Sequence, residues 1–145
     1  MRIVFVCTGN TCRSPMAEAI LASKKLPGIE VRSAGVFAGS APISKNAGAV
    51  LEEEGIPFDH ISKQLLQEDL EWADIILTMT VSHKQLVRQQ HPHVSERLFT
   101  LKEYVAGHAA DVSDPYGGPY SVYQETFLEL RELIDRLEEK LNQQK

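Results

Sequence analysis

Residues 7–15 read CTGNTCRSP, and these nine positions hold both cysteines of the chain, an arginine, two threonines and a serine. A cysteine thiolate is a strong nucleophile. The guanidinium of Arg13 is a planar fork that fits two oxygens of a phosphate. Five residues lie between Cys7 and Arg13, a spacing that closes a loop around one tetrahedral anion. Gly9 and Asn10 allow left-handed turns that aim successive backbone N–H groups inward as an anion nest. The same electropositive cradle lowers a thiol pKa, so Cys7 is expected to be largely ionised near neutral pH. Attack of its sulfur on phosphorus gives a phosphocysteine that water later hydrolyses, with the nest holding the phosphoryl oxygens; no metal or other cofactor is expected. A lone cysteine after a buried strand reads as a small core residue, and the arginine and serine beside this one change that reading. A nucleotide-binding Walker loop is excluded, because it requires Gly-Lys-Ser/Thr.

The elements around this loop follow from patterning. Residues 2–6 (RIVFV) are a short apolar, β-branched run, which predicts a buried strand leading into the loop. Ser14 before Pro15 reads as an N-cap and first-turn pair for a helix through Ser23. Strands are also predicted at 29–33, 74–78 and 97–101. Helices are predicted around 43–54, as a short turn at 68–72, and at 81–90, ended by His91-Pro92. Tyr120, Tyr123, Phe127, Leu130, Ile134, Leu137 and Leu141 recur at spacings of three and four, a long amphipathic helix that docks on its own sheet rather than forming a coiled coil. Strands alternating with helices imply an α/β fold. The expectation is three α/β/α layers on a four-stranded parallel sheet, with the phosphate-binding loop between the first strand and first helix. In such sheets ligands bind at the carboxyl ends of the strands, beside helix N-termini.

At 145 residues, with no linker, repeat or low-complexity stretch, residues 1–145 are expected to form one domain. No charged segment precedes a long apolar run, and no run reaches the roughly 18 residues of a membrane span, so a cytoplasmic protein without a membrane partner is expected. The net charge of −5 argues against a nucleic-acid partner. Two cysteines with four residues between them suit neither a disulfide framework nor a zinc site.

CTGNTCRSP resembles the signature of the low-molecular-weight protein-tyrosine phosphatases. The resemblance covers nearly the whole chain, including RSAG at Arg32–Gly35 and the Asp114-Pro115 pair before the last helix. It implies phosphorylated protein substrates, with Cys7 as nucleophile, Arg13 as phosphate clamp and Asp114 as the general acid that protonates the leaving group and then activates water. Thr8, Gly9, Asn10, Thr11, Cys12, Arg13 and Ser14 would bind the phosphate. Asn10, Ser33 and His60 would form a hydrogen-bonded network behind the loop, and Ser14 would donate to the thiolate. A carboxyl over the pocket also makes independent sense for Asp114, since a group expelled from phosphorus needs a proton. The family loop usually carries aromatic residues after the Asp-Pro pair. Here it runs Asp114-Pro115-Tyr116-Gly117-Gly118, so one aromatic wall is expected to be missing. His83, His91, His93 and His108 read as ordinary histidines, with no metal-like cluster around them.

Thr11 sharpens the resemblance. The tyrosine phosphatases usually place an aliphatic residue there, which packs on a phenyl ring, whereas a threonine hydroxyl needs a polar partner. A phosphorylated guanidine has N–H groups beside phosphorus and a phosphotyrosine ring has none. With Thr11, the GVFAG stretch that follows Ser33, and FTLKEYV at 99–105, the chain looks most like the bacterial protein-arginine phosphatase branch of the family. Cys12 would be a redox partner, trapping Cys7 as a disulfide under peroxide. A monomer is expected. The alternatives are a phosphotyrosine enzyme, an arsenate reductase, which relays electrons through later cysteines absent after Cys12, and a non-catalytic phosphoresidue-binding module.

Overall fold

The structure is a computed structural model that describes residues 1–144. Four strands, β1 (Arg2–Cys7), β2 (Glu30–Gly35), β3 (Ile75–Thr78) and β4 (Leu98–Thr100), pair in the order β2-β1-β3-β4 with every pair parallel. Side chains of β1 alternate between two cores. Ile3, Phe5 and Cys7 face one side and Val4 and Val6 the other, so both faces are buried and the strand reads as a continuous apolar run. Helices α1 (Arg13–Ser23), α2 (Lys45–Glu53) and α6 (Tyr120–Gln143) cover the first face; α3 (Gln67–Trp72) and α4 (Val81–Gln90) cover the second. The expected three-layer arrangement is the observed one. Within α6, Tyr123, Phe127, Leu130, Ile134, Leu137 and Leu141 are buried, so the stripe docks on the domain's own core. Among the described residues, no helix is long and apolar enough to cross a membrane.

Register places the site. Cys7 pairs with Gly35, and Val6 with Thr78, which in turn pairs with Thr100, so the carboxyl ends of all four strands share one edge of the sheet. Two departures from expectation bear on the site. Helix α1 begins at Arg13 with Cys12 as N-cap, so Ser14 lies inside the first turn instead of capping it. Strand β4 ends at Thr100, and Leu101 opens a helix, α5 (Leu101–Ala106), where the strand was expected to continue. The cause is a capping box: Thr100 Oγ1 accepts from Glu103 N and the Glu103 carboxylate accepts from Thr100 N. A 3₁₀ turn over Pro92–Arg97 separates α4 from β4.

Candidate active site

The nine-residue run folds back on itself between β1 and α1. Asn10 makes the turn at φ 58°, while Gly9, expected to share it, stays outside the left-handed region. Asparagine tolerates that conformation because its short amide bonds locally. Here Asn10 Nδ2 donates to Ser14 Oγ at 2.8 Å and Ser33 Oγ at 3.0 Å, and Asn10 Oδ1 accepts from Lys63 N at 3.0 Å. His60 Nε2 lies 2.7 Å from the Asn10 carbonyl, which only accepts, so that nitrogen carries the proton. Ser33 donates to Glu18 Oε1 at 2.5 Å, and Glu18 also approaches His60 Nδ1 at 3.9 Å. Asn10, Ser33 and His60 are thus joined behind the loop, and Glu18, which the sequence did not single out, ties the last two together. Burial pushes the Glu18 carboxyl up, opposed by Ser33, His60 and Lys63.

Strand β2 makes room for this turn. Its last residue, Gly35, lies against the loop, where a Cβ would collide with the Thr8 carbonyl and come within 3.1 Å of Asn10 N. The segment after it then holds the loop by its backbone: Val36 N donates to Cys7 O and Phe37 N to Thr8 O, both at 2.9 Å.

Cys7 Sγ lies 2.8 Å from Ser14 Oγ, at the floor of a cleft of about 230 Å³. The cleft is lined by residues 7–13 with Asp114 and Tyr116. Burial pushes the Cys7 thiol up, because the residue is only 3% exposed and its anion loses hydration. The Ser14 hydroxyl, the backbone N–H groups of Ser14 and Asn10, and the Arg13 guanidinium oppose that rise. Depth and cradle thus act in opposite senses on this sulfur: burial favours the thiol, and the hydroxyl, N–H groups and guanidinium favour the thiolate.

Arg13 is buried and fixed from the far side. Its Nη1 donates to Val112 O at 3.0 Å and its Nη2 lies 3.5 Å from Asp114 Oδ2. Residues 111–116 therefore reach the nine-residue loop through Arg13. That segment is anchored in turn by Val112 N on Met79 O at 2.8 Å, Val81 N on Asp111 Oδ1 at 2.8 Å and Ser113 N on Glu129 Oε1 at 2.9 Å. The Asp114 side chain remains 57% exposed over the cleft, with its Oδ1 accepting from Tyr116 N. Tyr116 supplies an aromatic flank, and Gly117 takes the next position at φ 79° with no side chain to build a second.

Thr11 lines the cleft, and its hydroxyl is 3.8 Å from Cys12 Sγ. Cys12 is a free, buried thiol within 3.5 Å of Ser44 Oγ and 3.6 Å of Tyr123 OH. Of the four histidines read as ordinary, His83 is not remote: its Nε2 meets Thr8 Oγ1 at 2.7 Å. No sequence signal links two residues 75 positions apart; the β1–β3 pairing brings them together.

The family model for the low molecular weight phosphotyrosine protein phosphatases matches residues 2–145, and the chain belongs to that family. A protein-arginine-phosphatase of Geobacillus stearothermophilus is 52% identical over 141 residues, covering 97% of this chain and 95% of the relative. The low molecular weight protein-tyrosine-phosphatase PtpB of Staphylococcus aureus is 44% identical over 140 residues, covering 96% of this chain and 98% of its own. A solved cysteine-to-serine variant of the YwlE arginine phosphatase, with a phosphorylated active site serine, superposes with a TM-score of 0.94 at 44% identity, covering 98% of this chain and 96% of that one.

Proposed function

We infer that this chain is a cysteine-dependent protein-arginine phosphatase, acting on phosphoarginine in proteins through a phosphocysteine intermediate. The observation that carries the chemistry is the convergence of Cys7, Arg13 and Asp114 on one cleft, with the sulfur at its floor and the carboxyl at its mouth. In this reading Cys7 Sγ, its proton already lost to solvent, attacks phosphorus as the thiolate, the loop N–H groups and Arg13 hold the phosphoryl oxygens, and the bond from phosphorus to the guanidino nitrogen breaks. Asp114 gives its proton to the departing nitrogen. As a carboxylate it then takes a proton from the water that attacks phosphocysteine, releasing inorganic phosphate and restoring Cys7. The phosphorylated serine of the YwlE variant supports transfer of phosphate to a side chain at this position.

Thr11 on the cleft wall, together with a relative named protein-arginine-phosphatase at 52% identity, supports the guanidino substrate. A hydroxyl there pairs with a substrate N–H, and a site built to hydrogen-bond discriminates far better than one that only fits shape. Tyr116, which also lines the cleft, and the S. aureus relative favour phosphotyrosine as the second reading. One preparation assayed on phosphoarginine and phosphotyrosine peptides separates the two. Preference for phosphotyrosine would overturn the first reading, and activity surviving Cys7→Ser would overturn the mechanism.

Cys12 is proposed as redox partner. Peroxide converts the Cys7 thiol to sulfenic acid with loss of water, and the Cys12 thiol displaces a second water to form the disulfide. Cys7 found as sulfinic acid after mild peroxide, with no disulfide, would count against it. We further propose that the chain acts as a single cytoplasmic domain and a monomer, engaging neither nucleic acid nor membrane.

A further inference from the structure

One buried group has no task in this mechanism. His83, in the first turn of α4, is 6% exposed, with Nε2 against the Thr8 hydroxyl and Nδ1 without a hydrogen-bond partner among the described residues. Burying an unpaired polar atom is unfavourable, and an apolar side chain would fill the same space without it. What the imidazole supplies is therefore the Nε2 contact.

The proton position follows from the unpaired nitrogen. Buried N–H groups without a partner are rarer than underused acceptors, so the bare atom is Nδ1 and the proton sits on Nε2. His83 is then the donor and Thr8 Oγ1 the acceptor. Burial first, and the Arg13 charge second, push the imidazole down to about 4, opposed by Asp111 and Asp114, so the ring is neutral at ordinary pH. A hydroxyl that accepts from behind keeps its own hydrogen to give. Thr8 lines the cleft directly after Cys7.

We infer that His83 is a positioning residue: from inside the fold it donates to Thr8 Oγ1, leaving the Thr8 hydroxyl hydrogen for an oxygen of the phosphoryl group bound in the cleft. This rests on the phosphatase reading of the same site. The contact is made to the phosphoryl group both before and during transfer, so its loss raises KM more than it lowers kcat.

The test uses full-length protein, a phosphoarginine peptide, and inorganic phosphate as competitive inhibitor. Thr8→Val and His83→Ala are each expected to raise KM and the phosphate inhibition constant about tenfold, as for loss of one good hydrogen bond, with kcat changed less than about threefold. The double variant is expected to be no worse than either single one, because both remove the same contact. His83→Gln, whose amide nitrogen stands near the Nε2 position, restores phosphate affinity; the shorter His83→Asn does not. A Thr8→Val enzyme that binds phosphate as wild type does, or losses that multiply in the double variant, would overturn the inference. If His83→Ala does not fold, His83→Gln against His83→Asn decides it, with Thr8→Val as the reference for full loss of the contact: equal phosphate affinity in the two would overturn the inference. Wild-type protein that binds phosphate but turns over no phosphorylated substrate would instead sink the phosphatase reading.

Discussion

The Ser14 hydroxyl stands 2.8 Å from the Cys7 sulfur and accepts from Asn10 Nδ2 at the same distance. With its acceptor side engaged by the amide, its hydrogen is turned toward sulfur, where it stabilises the anion more than the thiol. Of the groups that oppose the upward pull of burial on Cys7, it comes first. Ser14→Ala is therefore expected to raise the Cys7 pKa further. The acidic limb of kcat/KM and the pH profile of iodoacetate inactivation both move to higher pH, and kcat/KM near neutral pH falls about tenfold or more. Profiles that overlay those of wild type would show that this hydroxyl does not tune the thiol.

Asp114 is poised differently, 57% exposed and 3.5 Å from the Arg13 guanidinium, the proposed phosphate clamp. A proton donor matters most when the leaving group is a poor one. Asp114→Asn is expected to lower kcat by about 10²–10⁴-fold on poor leaving groups and markedly less on an activated aryl phosphate. A uniform loss across a leaving-group series would argue for a binding role alone.

Much of this site was legible because its residues are contiguous, and the strands because both faces of the sheet are buried and leave unbroken apolar runs. The stripe of α6 was legible from its period. Ser14 was misplaced as a cap because Ser-Pro is a common helix start, yet here its hydroxyl serves Cys7 and Asn10 and cannot serve the backbone. Helix α5 was missed although Thr100-Leu101-Lys102-Glu103 spells its capping box, since the apolar letters around it also suit a strand. Glu18 and His83 were illegible for another reason. Their partners, Ser33 and Thr8, lie 15 and 75 residues away, so tertiary pairing alone creates the contacts.

Thr11 borders the cleft without a strong hydrogen bond of its own, since its hydroxyl is 3.8 Å from a thiol. Its polar capacity is thus available to a substrate. Thr11→Ile replaces that hydroxyl with an aliphatic wall and is expected to lower phosphoarginine kcat/KM while sparing or raising that for phosphotyrosine, a change in their ratio of about 10²-fold. An unchanged ratio would remove Thr11 as the selecting residue.

His83 also links folding to pH. Its ordinary value of 6.5 applies to the unfolded chain and about 4 to the folded one, so between those pH values the unfolded chain holds more protons. Stability from this group is complete above about pH 6.5, is lost as pH falls toward 4, and changes no further below. The charged groups around the ring are Arg13, which disfavours its protonation, and Asp111 and Asp114, which favour it. At about 1.4 kcal/mol per pH unit the full window amounts to a few kcal/mol, enough to read in a thermal melt. Other carboxylates also titrate in this range, so the informative quantity is the difference between wild type and His83→Gln, which keeps an amide near Nε2 and cannot be protonated. Whatever offset the two show near neutral pH, the wild-type unfolding midpoint is expected to fall relative to that of His83→Gln as pH drops from 6.5 to about 4. Parallel curves across that window would mean that the imidazole is solvated in the folded chain and that its contact with Thr8 is open to water.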